Sequence, residues 1–179
     1  MQPLDFVAGT VISLRRITVE DASALFAAAN HPEVMQYMDW LRPTDVAETT
    51  AHLRKAETAW TEATEFQWAI LKRTTSELVG TISCRPRAHL ADFGYFLGRS
   101  HWGKGYASEA VARVVDLLFL QLDIVRVWAT ADAANDKSRR VLERAGLRLE
   151  GIMRMATYRP NLGGAPRDTA LYARCRADV

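Results

Sequence analysis

The stretch "ADFGYFLGRSHWGKGYASEAV", residues 91–111, holds a strand, a loop and the start of a helix in one run. Residues 91–98 are apolar and aromatic between turn signals, which predicts a strand. Gly103 and Gly105 then flank Lys104. Ala107, Ala110, Val111, Val114 and Leu118 follow at helical spacing, while Glu109, Arg113 and Asp116 face elsewhere. The first N–H groups of such a helix have no intrahelical partner and sit at the positive end of its dipole. Glycine lets that backbone approach an anion with no Cβ in the way. The loop is therefore shaped to hold an anion; a tight turn serving helix packing is the competing reading. It is not a Walker A loop, since GxxxxGK(S/T) is absent. Nor is it the dinucleotide-binding fingerprint, whose third glycine or alanine would fall at Ser108.

Working outward, "IVRVWATA" (124–131) predicts a strand after the helix over 106–122. The glycine loop then lies at the carboxyl end of the first strand of a β-α-β unit, where open α/β sheets place their ligands. Upstream, "TVISLRRI" (10–17) reads as a strand. A helix over 19–30 follows, with Thr18 as N-cap, Asp21 at the capping-box spacing and Pro32 as a stop. A second helix spans 45–63, capped by Thr44. "FQWAIL" and "LVGTISC" form a hairpin across "KRTTSE". Downstream, a short helix over 137–146 ends at Gly146, and strands occupy about 147–158 and 169–176. No linker, repeat or low-complexity stretch cuts the chain, so a single mixed α/β domain over residues 1–179 is expected.

Composition agrees. The 179 residues are 49% hydrophobic and 25% charged, enough for one well-cored domain. The N-terminus lacks the basic start and apolar core of a signal peptide, and no apolar run approaches the ~20 residues of a membrane span. A cytoplasmic protein without membrane contact is expected. Cys84 and Cys175 lack CxxC spacing, which favours free thiols over a disulfide. His31, His52, His89 and His101 are scattered without a metal-ligand motif, so no metal site is expected. Basic residues are not interleaved with aromatics in a nucleic-acid motif. Charge is segregated, however. Residues 31–68 hold seven acids against Arg42, Arg54 and Lys55, whereas residues 137–179 hold ten bases against Glu143, Glu150, Asp168 and Asp178. Two solvated surfaces would explain this, and so would a bipolar site with one end for a cation and the other for an anion.

The 91–111 run, followed some thirty residues later by "NDKSRRVLERAGLRLEG" (135–151), resembles the GNAT acetyltransferase superfamily, and within it the RimJ/RimL type of ribosomal-protein N-terminal acetyltransferase. The resemblance extends over nearly the whole chain. It implies the GNAT fold: a central, mostly antiparallel sheet, a splayed parallel strand pair and flanking helices. It also implies acetyl-CoA as co-substrate. Gly103, Lys104, Gly105, Tyr106 and Ala107 match the pyrophosphate loop, with Trp102 at its entrance, and Tyr95, Phe96 and Leu97 match the strand end that pairs with the pantetheine arm. Asn135 matches the asparagine that contacts that arm, its alternative being an ordinary turn residue. Lys137, Arg139 and Arg140 are placed for the 3′-phosphate, or form a solvated basic face. Ser100 departs from the family pattern, where glutamine or arginine is frequent.

The implied chemistry is direct attack of an amine on the acetyl carbonyl in a ternary complex, which needs an oxyanion site and a proton for the departing thiolate. The tyrosine that much of the superfamily uses as acid is Leu142 here. The RimJ/RimL type implies Ser138 instead, with a helix first-turn serine as the alternative. Thr157 stands where some relatives carry a glutamate base. Asp92 is then the substitute, or else a structural carboxylate paired with a neighbouring arginine. Helices 19–30 and 45–63, with the turn "QYMDWLRP" between them, are expected to roof the acceptor channel, with Tyr37, Trp40 and Trp68 placed to line it. The expected acceptor is the α-amine of a protein or peptide. A small cationic amine is the alternative, as is a non-catalytic acyl-CoA-binding module. Either a monomer or a homodimer is expected.

Overall fold

A computed structural model describes residues 5–121 and 123–178. Among them, eight strands form one sheet in the order β1-β2-β3-β4-β5-β6-β8-β7. β1 (Phe6–Ala8), β2 (Ile12–Arg16), β3 (Phe66–Lys72), β4 (Leu78–Arg87) and β5 (Leu90–Leu97) run as an antiparallel meander. β6 (Arg126–Asp132) lies parallel to β5, and β8 (Arg167–Cys175) and β7 (Arg148–Thr157) complete the sheet in antiparallel fashion. This is the mostly antiparallel sheet with one parallel pair that the resemblance implies. β1 is absent from the sequence reading. At three residues on an open edge it has no alternation to betray it.

Helices cover both faces. α4 (Tyr106–Gln121) and α5 (Asp136–Arg144) bury one face, where Ile12, Leu14, Trp68, Ile70, Ile82 and Phe93 join Val111, Val114 and Leu118 in one apolar cluster. α1 (Ala22–Ala29), α2 (Pro32–Met35) and α3 (Val46–Thr61) cover the other, through Leu25, Met35, Leu53, Ala69, Leu71 and Phe96. β3 is apolar and buried at nearly every position because both of its faces are covered. Trp68 therefore belongs to the α4 side of the core, fully buried, and does not line an acceptor channel.

Local chemistry corrects one helix start and adds a short helix. The α3 cap is Asp45, whose carboxylate accepts the Ala47 N–H at 2.9 Å; Thr44 instead donates to Glu48 at 2.7 Å. Pro32 opens α2 as its first residue, which costs nothing because that N–H has no helical partner. Asp21 accepts the Thr18 N–H at 3.0 Å, as the expected capping box requires. The helix over 106–122 is observed to Gln121, and Leu122 lies outside the described residues. Cys84 and Cys175 are free thiols.

Candidate active site

β5 and β6 pair only at Leu90–Arg126, Ala91–Val127 and Asp92–Trp128. Beyond that both strands continue, β5 to Leu97 and β6 to Asp132, without further pairing to each other. The sheet thus opens along one edge of residues 93–97, leaving main-chain groups there without a strand partner. Gly94 is exposed at this opening, and a Cβ there would meet nothing within 4 Å.

The glycine loop lies at the mouth. Gly103 (φ +76°) and Gly105 (φ +80°) both occupy left-handed backbone that other residues adopt at a cost, and neither has an atom within 4 Å of an added Cβ. Packing does not require these glycines; backbone shape and open approach do. Lys104 is exposed between them, whereas Tyr106 and Ala107 turn inward as the first buried residues of α4. The Trp102 indole donates to the Leu97 carbonyl at 2.9 Å, tying the loop to the end of β5. The Lys137 ammonium lies 4.4 Å above the Trp102 ring, and the Arg99 guanidinium 4.8 Å from it, so α5 delivers a cation to the loop.

Asn135 caps α5: its Oδ1 accepts the Ser138 N–H at 3.1 Å. The turn-residue alternative is thus realised for the oxygen, while the Nδ2 amide takes no partner among the described residues. Ser138 has a second neighbour that sequence reasoning missed. The Tyr95 hydroxyl stands 2.9 Å from Ser138 Oγ and donates toward the Ser138 carbonyl at 3.3 Å. Tyr95 was expected to contribute backbone alone. Alternation along β5 carried the missing signal, since it points Tyr95 with Phe93 and Leu97 toward the α4–α5 face. Burial lifts the Tyr95 phenol above its ordinary pKa, although the Ser138 contact opposes the rise. It stays protonated at neutral pH.

Phe96 points the other way and meets Trp40 with centroids 6.1 Å apart. Asp92 shares that face. Its Oδ2 accepts from Arg85 Nε at 2.8 Å and also from Nη2, and Glu65 stands 3.8 Å from the same guanidinium. Asp92 is therefore the paired structural carboxylate rather than a free base. Arg139 is also engaged, donating to the Tyr172 hydroxyl and the Ala133 carbonyl, both at 3.2 Å. Lys137 and Arg140 are exposed beside it. Thr157 accepts from the Thr169 hydroxyl at 3.0 Å.

An opened parallel pair with a glycine turn at its mouth narrows the family, and sequence comparison decides it. Residues 12–148 match the acetyltransferase (GNAT) domain. The chain belongs to the GNAT acetyltransferase family. It is an acyltransferase, 32% identical over 163 residues to the uncharacterized N-acetyltransferase YoaA of Bacillus subtilis, covering 89% of this chain and 90% of that protein. The ribosomal-protein-serine acetyltransferase of Escherichia coli is 33% identical over 101 residues, 55% of each chain. Among solved structures, RimL, a ribosomal L7/L12 α-N-protein acetyltransferase in complex with coenzyme A, superposes with a TM-score of 0.86 at 25% identity, covering 95% of this chain and 97% of that one. This GNAT chain shares that fold nearly end to end.

Proposed function

We propose that the protein is an acetyl-CoA-dependent N-acetyltransferase whose acceptor is a primary amine, the α-amine of a protein or peptide. The observation that carries this reading is the β5–β6 opening, with the glycine loop at its mouth and the Ser138–Tyr95 pair on its wall. Similarity to RimL and to the ribosomal-protein-serine acetyltransferase supports the acceptor.

The residues fit the co-substrate. Main chain at Gly103 and Gly105 is open to a pyrophosphate, with the α4 N-terminus behind it. Lys104, Lys137 and Arg140 supply positive charge for phosphates, the free Asn135 amide can donate to the pantetheine arm, and the open edge of residues 93–97 can pair with its amides. Trp102, Tyr106 and Ala107 shape the entrance. Acetyl-CoA supplies an acetyl group activated as a thioester: the acceptor nitrogen bonds to the acetyl carbon, the C–S bond breaks, and one proton leaves nitrogen while one reaches sulfur. Strand N–H groups beside Tyr95, Phe96 and Leu97 polarise the carbonyl. The amine's proton is released to solvent; Ser138 Oγ gives a proton to sulfur, the Tyr95 hydroxyl, 2.9 Å away, replaces it, and a solvent proton restores Tyr95. A thiol of pKa ~8.5 needs only a weak acid.

The test follows free thiol while peptides with free N-termini and small amines are offered with acetyl-CoA. Amines should be acetylated, hydroxyl and carboxylate acceptors should not, and the rate should rise with pH as the amine loses its proton. Tight CoA binding without transfer to any amine would make the protein an acyl-CoA-binding module instead.

A further inference from the structure

At the carboxyl end of β6 two arginines share one buried carboxylate. Asp132 is 1% exposed and its oxygens are already taken: Arg167 donates to Oδ2 at 2.6 Å and to Oδ1 at 3.1 Å, and the Ala134 N–H donates to Oδ1 at 3.0 Å. Arg159 is 7% exposed, and its Nε lies 3.6 Å from Asp132 Oδ2, beyond hydrogen-bond range. That Nε is buried and donates to nothing. A guanidinium this buried normally has its donors satisfied, so a missing partner needs a reason.

The cluster faces the acceptor side. Asp92 pairs with Trp128, and alternation along β6 puts Trp128, Thr130 and Asp132 on one face, the face of α1–α3. Tyr37 lies in the turn after α2. Asn161 fastens the loop that carries Arg159 to this turn, donating to the carbonyls of Met35 at 2.8 Å and Trp40 at 2.7 Å. A cleft of about 570 Å³ opens at the same end, walled by Asp132, Ala133, Ala134, Gly163, Pro166 and Arg167. Asp168, the remaining carboxylate on that wall, is exposed and accepts the Met155 N–H at 2.9 Å. At the other end of the roofing turn, Asp39 and Glu65 act on Arg85 beside Asp92, leaving an excess of negative charge.

We infer that Arg159, backed by Arg167, is a carboxylate-binding subsite of the acceptor cleft, so that the acceptor carries a carboxylate besides its reacting amine. This rests on the acetyltransferase reading above and sharpens its acceptor. Asp132 is saturated by Arg167 and the Ala134 N–H, which leaves the Arg159 guanidinium without a hydrogen-bonded anion, and its planar fork suits a carboxylate. The carboxylate belongs either to a free amino acid or to an acidic side chain near a peptide N-terminus.

The experiment compares kcat/KM for matched acceptors: amino acids against their amides, and peptides with Glu against Gln at the second position. One acidic arm should exceed its amide partner by roughly 10- to 100-fold, and that arm names the source. Arg159→Gln should bring the acidic acceptor down to its amide, leaving the amide acceptor and CoA affinity unchanged. Arg159→Lys, which keeps the buried charge, should retain part of the preference and serves if Arg159→Gln does not fold. Equal use of acid and amide by the wild type, a preference that survives either substitution undiminished, or a loss of CoA affinity with the preference intact would overturn the subsite. If no amine is acetylated the acetyltransferase reading fails. Binding of N-acetylated amino acids against their amides to the CoA-loaded protein then decides the subsite, with equal affinity overturning it.

Discussion

On the α4–α5 face of the sheet, Trp68, Ile70, Ile82 and Phe93 bury against helix side chains with no charged group among them. On the α1–α3 face the same strands present Gln67, Thr81, Asp92 and Asp132, each bound to a partner from elsewhere in the chain. Gln67 bridges His52 at 3.1 Å and Thr81 at 3.0 Å; Asp92 holds Arg85, and Asp132 holds Arg167. The first face is fixed by apolar area and tolerates hydrophobic exchange of similar volume. The second adds these polar pairs to its own apolar cluster, and removing one partner of an ion pair there leaves a buried charge. The β5–β6 opening lies between these two environments, with the proposed proton source on the apolar side and the proposed acceptor site on the charged side.

The largest expected effect breaks the charged side. Asp132→Asn leaves Arg159 and Arg167 without their counter-ion and should lower stability by about 3–5 kcal/mol, read from urea unfolding at neutral pH. Acid should expose the same contribution in the wild type. Burial alone would raise the Asp132 carboxyl, but Arg167, the Ala134 N–H and Arg159 outweigh it and hold the carboxyl below its ordinary value. The stabilisation is therefore complete above about pH 4 and disappears as pH falls through the depressed native value. A loss below about 1 kcal/mol for Asp132→Asn would mean that the two faces are held by the same forces.

Next in size is the loop between the faces. Gly105→Glu forces a side chain into φ +80° and sets a negative charge against the proposed pyrophosphate. CoA affinity should fall by about 100-fold or more, measured by calorimetry on protein that remains folded. Unchanged affinity would reduce the loop to a packing turn.

The two sides also differ in how they could be read from sequence. The glycine loop, α4, the capping Asn135 and Ser138 lie in two short contiguous runs, because a glycine turn and a helix cap need residues at fixed local offsets. The parallel pairing of β5 with β6 followed from the single helix between them. The charged face was not legible, since Asp132, Arg159 and Arg167 come from a strand end, a loop and another strand. Sequence showed only that 31–68 is acidic and 137–179 basic. Asp92 was open between a substitute base and a carboxylate paired with an arginine, and only strand register sets it opposite Arg85. Tyr95–Ser138 joins residues 43 apart, a separation no local pattern encodes.

Ser138→Ala removes the proposed proton donor from the apolar side. It should lower kcat by roughly 10- to 100-fold, with CoA affinity changed much less, because the contact strengthens only as sulfur gains charge. A drop confined to affinity would make Ser138 a cofactor contact and place the acid elsewhere.

The smallest effect is the most discriminating. Tyr95→Phe keeps the ring packed and deletes only the hydroxyl 2.9 Å from Ser138 Oγ. If Tyr95 acts through Ser138, kcat should fall by less than about tenfold. The double variant should then be no slower than Ser138→Ala alone, since a relay with its first member gone cannot be broken twice. The loss should also be the same from pH 6 to 9, because burial keeps the phenol above its usual value of about 10 and so protonated throughout. Losses that multiply in the double variant would assign the two hydroxyls separate tasks. A defect that grows with pH would mean that Tyr95 itself titrates in the working range, which its burial on the α4–α5 side of the sheet argues against.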